Sequence, residues 1–128
     1  MSQFFFQNSG SGSGGGLTQE SQTIANNQTT QNVTALLYDK LVSVGAQVRY
    51  MVNRVTDTAA SKVQQIGTLV IRYDANTDDW FIAESDLQGD AGVTFTITSA
   101  GQVQYTSTNL AGANYSGTMY FYNEQIDR

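Results

Sequence analysis

From Val42 to Asn53 the side chains alternate without a break. Val42, Val44, Ala46, Val48, Tyr50 and Val52 share one parity, and Ser43, Gly45, Gln47, Arg49, Met51 and Asn53 share the other. A helix would scatter that apolar set around its surface, whereas a pleated strand sends every second side chain to the same face. A strand with one apolar and one polar side is half-buried, which is the habit of antiparallel sheets. The run therefore commits the chain to an all-β fold with this strand laid along a core. Gly45 is where a bulge or kink would bend it.

The same period returns further on. Val93, Phe95 and Ile97 alternate with Thr94, Thr96 and Thr98, Ser99-Ala100-Gly101 reverses the chain, and Val103 and Tyr105 resume against Gln102, Gln104 and Thr106. This is a β-hairpin with Gly101 free to take a positive φ in a short loop. Lys62 to Tyr73 carries Leu69, Ile71 and Tyr73 on one parity. The run Asp74 to Asp79 reads as a turn, Trp80 to Ala83 as the strand leaving it, and Asp86 to Gly92 as a looser loop. Gly117 to Asn123 is a last strand, with Met119 and Phe121 facing one way and Tyr120 and Tyr122 the other. Adding Val33 to Tyr38, about eight short strands and no helical repeat indicate an antiparallel β-sandwich or jelly-roll-like fold. The expected core is Val44, Val48, Tyr50, Val52, Leu69, Ile71, Val93, Phe95, Ile97, Val103 and Phe121.

Upstream of that domain, composition changes twice. Residues 1–16 hold three consecutive aromatics, Phe4, Phe5 and Phe6, then the Gly/Ser-rich run Asn8 to Gly16, which has the composition of a tether. Residues 17–32 are polar and nearly uncharged, with Glu20 as the one ionised side chain, and read as an extended arm with Ile24 as an anchor. The β-sandwich is then expected over 33–128. Three adjacent phenylalanines on a tether point to attachment, either by adding a strand to an exposed sheet edge or by filling a neighbour's groove. The plainer alternative is a strand that returns to its own domain.

Chemistry is constrained by what is missing. The chain has no Cys and no His, which removes thiol nucleophiles, disulfides, zinc clusters and the commonest general base. Net charge is −5 and the six basic residues are scattered, so no basic stripe answers a nucleic-acid backbone. No apolar run approaches the ~18 residues of a membrane span, and no Lys or Arg opens the N-terminus as in a signal peptide. Asp74, Asn76, Asp78 and Asp79 resemble the start of a calcium loop, but Asp79 replaces the turn Gly and Ser85 the closing Glu, so a hairpin turn is the better reading and no metal or other cofactor is expected. Asp86 and Asp90 flank a loop with nothing apolar around them to raise one pKa, so catalysis is not expected. The aromatics Trp80, Phe81, Tyr105, Tyr115, Tyr120 and Tyr122 leave open a platform for a glycan or a subunit interface, with Trp80, Tyr115, Tyr120 and Tyr122 its principal candidates.

A resemblance adds to this reading. Asn26-Asn27-Gln28, Val33-Thr34-Ala35-Leu36, Val48 to Arg54, Gly67-Thr68-Leu69, Gly89 to Phe95 and Gly101 to Asn109 resemble the small β-sandwich domains of tailed-bacteriophage virion proteins: tail fibres, spikes, head fibres and decoration proteins. The likeness runs from Ile24 to Phe121. It implies a virion structural protein, made in the host cytoplasm, held to other virion proteins through its N-terminal segment and assembled as a homotrimer. The chain has no repetitive shaft and no separate receptor-binding tip, so the resemblance favours a short attached subunit over a host-recognition fibre. Two other readings stay open: an extracellular filament subunit polymerised by strand donation, and a carbohydrate-binding module.

Overall fold

The computed structural model describes residues 17–128, so Phe4, Phe5 and Phe6 lie outside the described residues. Eight antiparallel strands make two sheets: β1 (Gln19–Thr23), β2 (Gln28–Leu37), β3 (Ser43–Val55), β4 (Lys62–Asp74), β5 (Asp79–Gly89), β6 (Val93–Ile97), β7 (Gln102–Ser107) and β8 (Ser116–Asp127). One sheet has the order β1-β8-β3-β4-β5 and the other β2-β7-β6. The all-β sandwich expected from the alternation is the observed fold. Three consecutive pairs, β3-β4, β4-β5 and β6-β7, are hairpins. The remaining connections cross from one sheet to the other and so wrap the core.

β3 is the spine of the larger sheet, pairing along its length with β4 on one side and β8 on the other. Gly45 does interrupt it. The register against β8 shifts between Ser43 and Gly45, and a side chain at Gly45 would collide with the carbonyl oxygen of Ile71 on β4. One extra residue in one strand reverses which parity faces inward. Val48, Tyr50 and Val52 accordingly point into the core as expected, while Ser43 is buried and Val44 is 37% exposed. Val44 is thus not a core residue, and Val42 is exposed with it.

The core otherwise draws on both sheets: Leu69, Ile71, Met119, Phe121 and Trp80 from the larger, and Val33, Leu36, Val93, Val103 and Tyr105 from the smaller. Phe95 and Ile97 pack against this core but are only partly buried, because β6 is a five-residue strand at the edge of the smaller sheet. The Phe95 ring meets Tyr50 edge-on at 4.9 Å. Residues 17–32, expected to form an arm outside the sandwich, are built into it. β1 pairs with β8 and the start of β2 with β7, while Ile24 between them is fully buried. Their polar composition fits edge strands, whose side chains are largely solvated.

One buried polar cluster holds the connections together. Arg54, on β3, is fully buried, and all five of its N–H groups are used. Nε donates to the Tyr115 hydroxyl at 3.0 Å, Nη1 to the Ala91 carbonyl at 2.5 Å and Thr108 Oγ1 at 3.4 Å, and Nη2 to Asn26 Oδ1 at 2.8 Å and the Thr108 carbonyl at 2.6 Å. These acceptors sit in three crossovers, β1 to β2, β5 to β6 and β7 to β8. Tyr115 then donates its own hydroxyl to the Ile24 carbonyl at 2.6 Å. A second buried side chain, Gln65, works the same way: its amide donates to the Tyr50 hydroxyl and the Val93 carbonyl, and its oxygen accepts from Ala91 N–H.

Two stability measurements follow from these contacts. Replacing Arg54 with Met keeps much of the volume but takes the side-chain donor from the buried Ala91 carbonyl and leaves the Thr108 carbonyl with Asn27 N–H alone, so Arg54→Met should lower unfolding free energy by about 2 to 3 kcal/mol. Phe121→Ala should cost about 3 to 5 kcal/mol, and Phe95→Ala distinctly less because its ring is only partly buried. Urea midpoints at unchanged slope measure both. Equal losses at Phe95 and Phe121 would contradict the burial assigned here.

Candidate interaction surface

The inner face of the five-stranded sheet is covered by its partner sheet, and its outer face is not. On that outer face the paired register sets Met51 beside Ile66 on one side and Tyr120 on the other. These three are 36%, 46% and 41% exposed, so an apolar row lies open across three strands. The next row holds Tyr122, Arg49 and Thr68, with Gln19 of β1 at its end. The Arg49 guanidinium lies 5.5 Å from the Tyr122 ring centre, and the Tyr122 hydroxyl donates to Gln19 Oε1 at 3.2 Å. Asp86 and Gln88 of β5 close the far side. A bulge opposite Gly67 sets Asp86 at φ 55 there, since β5 places two residues between the partners of Ile66 and Thr68. Together these side chains line an open groove of about 700 Å³. Its apolar floor and few polar groups are the usual composition of a binding surface.

The aromatics singled out from the sequence do not come together. Trp80 is 4% exposed and packs between Tyr38 and Tyr73, with ring centres 5.6 and 5.3 Å away. It has no face left for a sugar ring. Tyr115 is half-buried and committed to Arg54 and Ile24. Tyr120 and Tyr122 do face outward, on the groove. Alternation alone places Met51 on the polar parity of its strand and gives Ile66 no distinct role. Their common signal was apolar residues on the outward parity of strands that become neighbours, and it is visible only once the strand order is known.

The acidic residues are engaged separately. Asp90 accepts from Gly92 N–H at 2.8 Å and shapes its own turn. Asp74 accepts from Asn76 N–H at 2.9 Å, and Asp74 pairs with Asp79 across the β4-β5 hairpin, so the stretch that resembles a calcium loop is a hairpin turn. Asp78 turns outward and accepts from Lys40 Nζ at 2.6 Å and from the Tyr73 hydroxyl at 2.5 Å. Those two hydrogen bonds, Lys40 first, hold the Asp78 carboxyl below the usual range. Elsewhere, burial raises the Tyr50 hydroxyl, which also donates to the Glu84 carboxylate and accepts from Gln65.

The Asp78 pairing has a testable sign. A carboxyl whose pKa is depressed on folding contributes stability above its unfolded pKa of about 3.9 and loses that contribution as pH falls through the folded value. Carboxyl carbon shifts should therefore show Asp78 titrating below the ordinary aspartate range. Lys40→Met should move its midpoint upward, and an unchanged midpoint would remove the assigned cause.

No family model matches the chain and no curated protein matches it in sequence. Among solved structures, it is similar in fold to the crystal structure of the Acinetobacter phage vB_ApiP_P1 tailspike protein, at a TM-score of 0.59 and 12% identity. The match covers 95% of this chain and 25% of that one, so the chain spans about a quarter of the tailspike's length. At this identity the likeness is one of fold.

Proposed function

We propose that the chain is a non-enzymatic structural module of a tailed-bacteriophage particle, a short fibre or decoration subunit attached through its N-terminal segment. The observation that carries this reading is the sandwich itself, matched over 95% of the chain by part of a phage tailspike. The residue chemistry supports it, since a chain without Cys or His lacks the usual nucleophile and base. Phe4, Phe5 and Phe6 on a Gly/Ser-rich segment supply an apolar anchor with reach. Burying one such ring is worth about 1.5 to 3 kcal/mol.

The assembled form proposed is a homotrimer. The outward side of the smaller sheet offers an uncharged surface for it, where Thr94 and Thr106 hydrogen-bond through their hydroxyls and Gln104 donates to Asn32 Oδ1 at 2.9 Å. Such a face carries no like charge to repel a symmetry mate, and its polar groups can be met on burial. Thr98 and Gln102 take no part, because the Thr98 hydroxyl accepts from Gln102 N–H and Gln102 donates to the Val33 and Leu36 carbonyls.

Immunogold microscopy of purified particles tests the location. Label on heads or tails is expected, and label confined to free filaments would favour the strand-donation reading instead. Deleting Met1 to Phe6 should abolish particle label while the protein stays folded. Light scattering should give three times the chain mass of 13.9 kDa. A monodisperse monomer at micromolar concentration would overturn the trimer, and a hit on a glycan array would favour the carbohydrate-binding reading.

A further inference from the structure

We propose that the groove on the outer face of the five-stranded sheet is the docking site for Phe4-Phe5-Phe6 of the same chain. The inference is independent of where the protein resides and concerns the state of its free subunit. Three observations meet at this groove.

The floor has the right chemistry. Met51, Ile66 and Tyr120 are the central exposed apolar residues of the face, each open by more than a third, and they adjoin one another across β8, β3 and β4. Thioether and aromatic groups are favourable neighbours for a phenyl ring. In an extended backbone Phe4 and Phe6 would face the same way, roughly 7 Å apart, which is the spacing between successive rows of one sheet face. One ring then has the Met51-Ile66-Tyr120 row beneath it. The other has the Arg49-Tyr122 row, where a guanidinium already faces an aromatic ring at 5.5 Å.

The chain also enters at the right place. Gln19, the first residue of β1, is itself part of the groove wall and is bonded to Tyr122. From Gln19, Met51 lies two strands across and two residues along, and Ile66 one strand further. At a strand spacing of about 4.8 Å and a rise of about 3.4 Å this is roughly 12 to 16 Å. Twelve residues separate Phe6 from Gln19, and eight of the ten from Gln7 to Gly16 are Gly or Ser, the unbroken run Ser9 to Gly16. A segment of that length and composition spans roughly 17 to 21 Å root-mean-square. Reach and span match.

That match decides between the same chain and a second copy. A short tether gives its end an effective concentration in the millimolar range when the span is matched. In the free subunit at micromolar concentration the chain's own segment therefore outcompetes one offered by a separate molecule for an identical groove. The polar rim, Arg49, Asp86 and Gln88, offers both charge signs and so adds no preference for a charged partner to the apolar one.

Paramagnetic relaxation tests the assignment on the full chain. The chain has no Cys, so Ser2→Cys gives a single site for a nitroxide label. In one sample the label and the isotope sit on the same chain, diluted tenfold into unlabelled protein. In the other, label and isotope are on different chains. Docking within the chain predicts strong broadening of the Met51 methyl, Ile66 methyl and Tyr120 signals in the first sample and none in the second. Ile66→Thr and Met51→Thr, both at solvent-exposed positions that keep the strand, should each relieve it, as should Phe4→Ser with Phe6→Ser. Broadening only in the mixed sample would assign the groove to a neighbouring copy's segment and overturn the inference. Broadening centred on another surface, or nowhere beyond β1, would overturn it as well. The particle-labelling experiment is unaffected by any of these results, so the two readings fail separately.

Discussion

A guanidinium with no carboxylate beside it sits at the closed end of this sandwich, and the wrapping of the two sheets depends on how it is satisfied. Removing Arg54 from water costs several kcal/mol unless every N–H is met. Here the acceptors are two backbone carbonyls, two hydroxyls and one side-chain amide, drawn from three separate crossovers. Irregular connections are where backbone carbonyls are hardest to satisfy, since no ladder is available to them. A planar cation with five donors in a fixed fork answers several at once, which a Lys ammonium with three rotatable donors does not. Gln65 does a smaller version of the same work at the β5-β6 connection. The hydrophobic core thus sets the two sheets face to face, and two buried polar side chains of the larger sheet define how the chain passes between them.

Much of the architecture was legible because alternation is a local property. The faces of β3 from Val48 to Val52, of β4 at Leu69 and Ile71, and of the β6-β7 hairpin all follow from period two. Failures cluster where one residue is inserted into the period. Gly45 was recognised as a bulge, but its consequence, the reversal of Val42 and Val44, requires knowing that the register shifts there. In β2 the inward residues Val33 and Leu36 are three apart, because its pairing with β7 slips between Asn32 and Leu37. The polar run before Val33 is hard to read for a different reason: edge strands keep most of their side chains in water, so composition alone makes them look like linkers.

The polar keystone and the outer-face groove were illegible for a shared reason. Arg54 is one of six basic residues with nothing in its neighbourhood to mark it, and its partners lie far away along the chain. Met51, Ile66 and Tyr120 are likewise remote from one another until β8 and β4 flank β3. Such sites are properties of strand order, and strand order is a non-local fact. Trp80 shows the converse. A lone tryptophan beside a turn suggests a binding platform, yet packing between Tyr38 and Tyr73 makes it core.

The pairing of β1 with β8 also has a consequence in time. β1 is the first described strand to leave the ribosome, and its one sheet neighbour, β8, is the last. The hairpins β3-β4, β4-β5 and β6-β7 can form as they emerge, but the larger sheet cannot be completed until residues 116–127 are available. Pairings between distant segments are the slow ones, because loop closure must precede the contacts that reward it. During synthesis β1 therefore waits without its sheet partner while every later strand is made, so the solvated side chains that suit it to a sheet edge also keep it in water until β8 arrives.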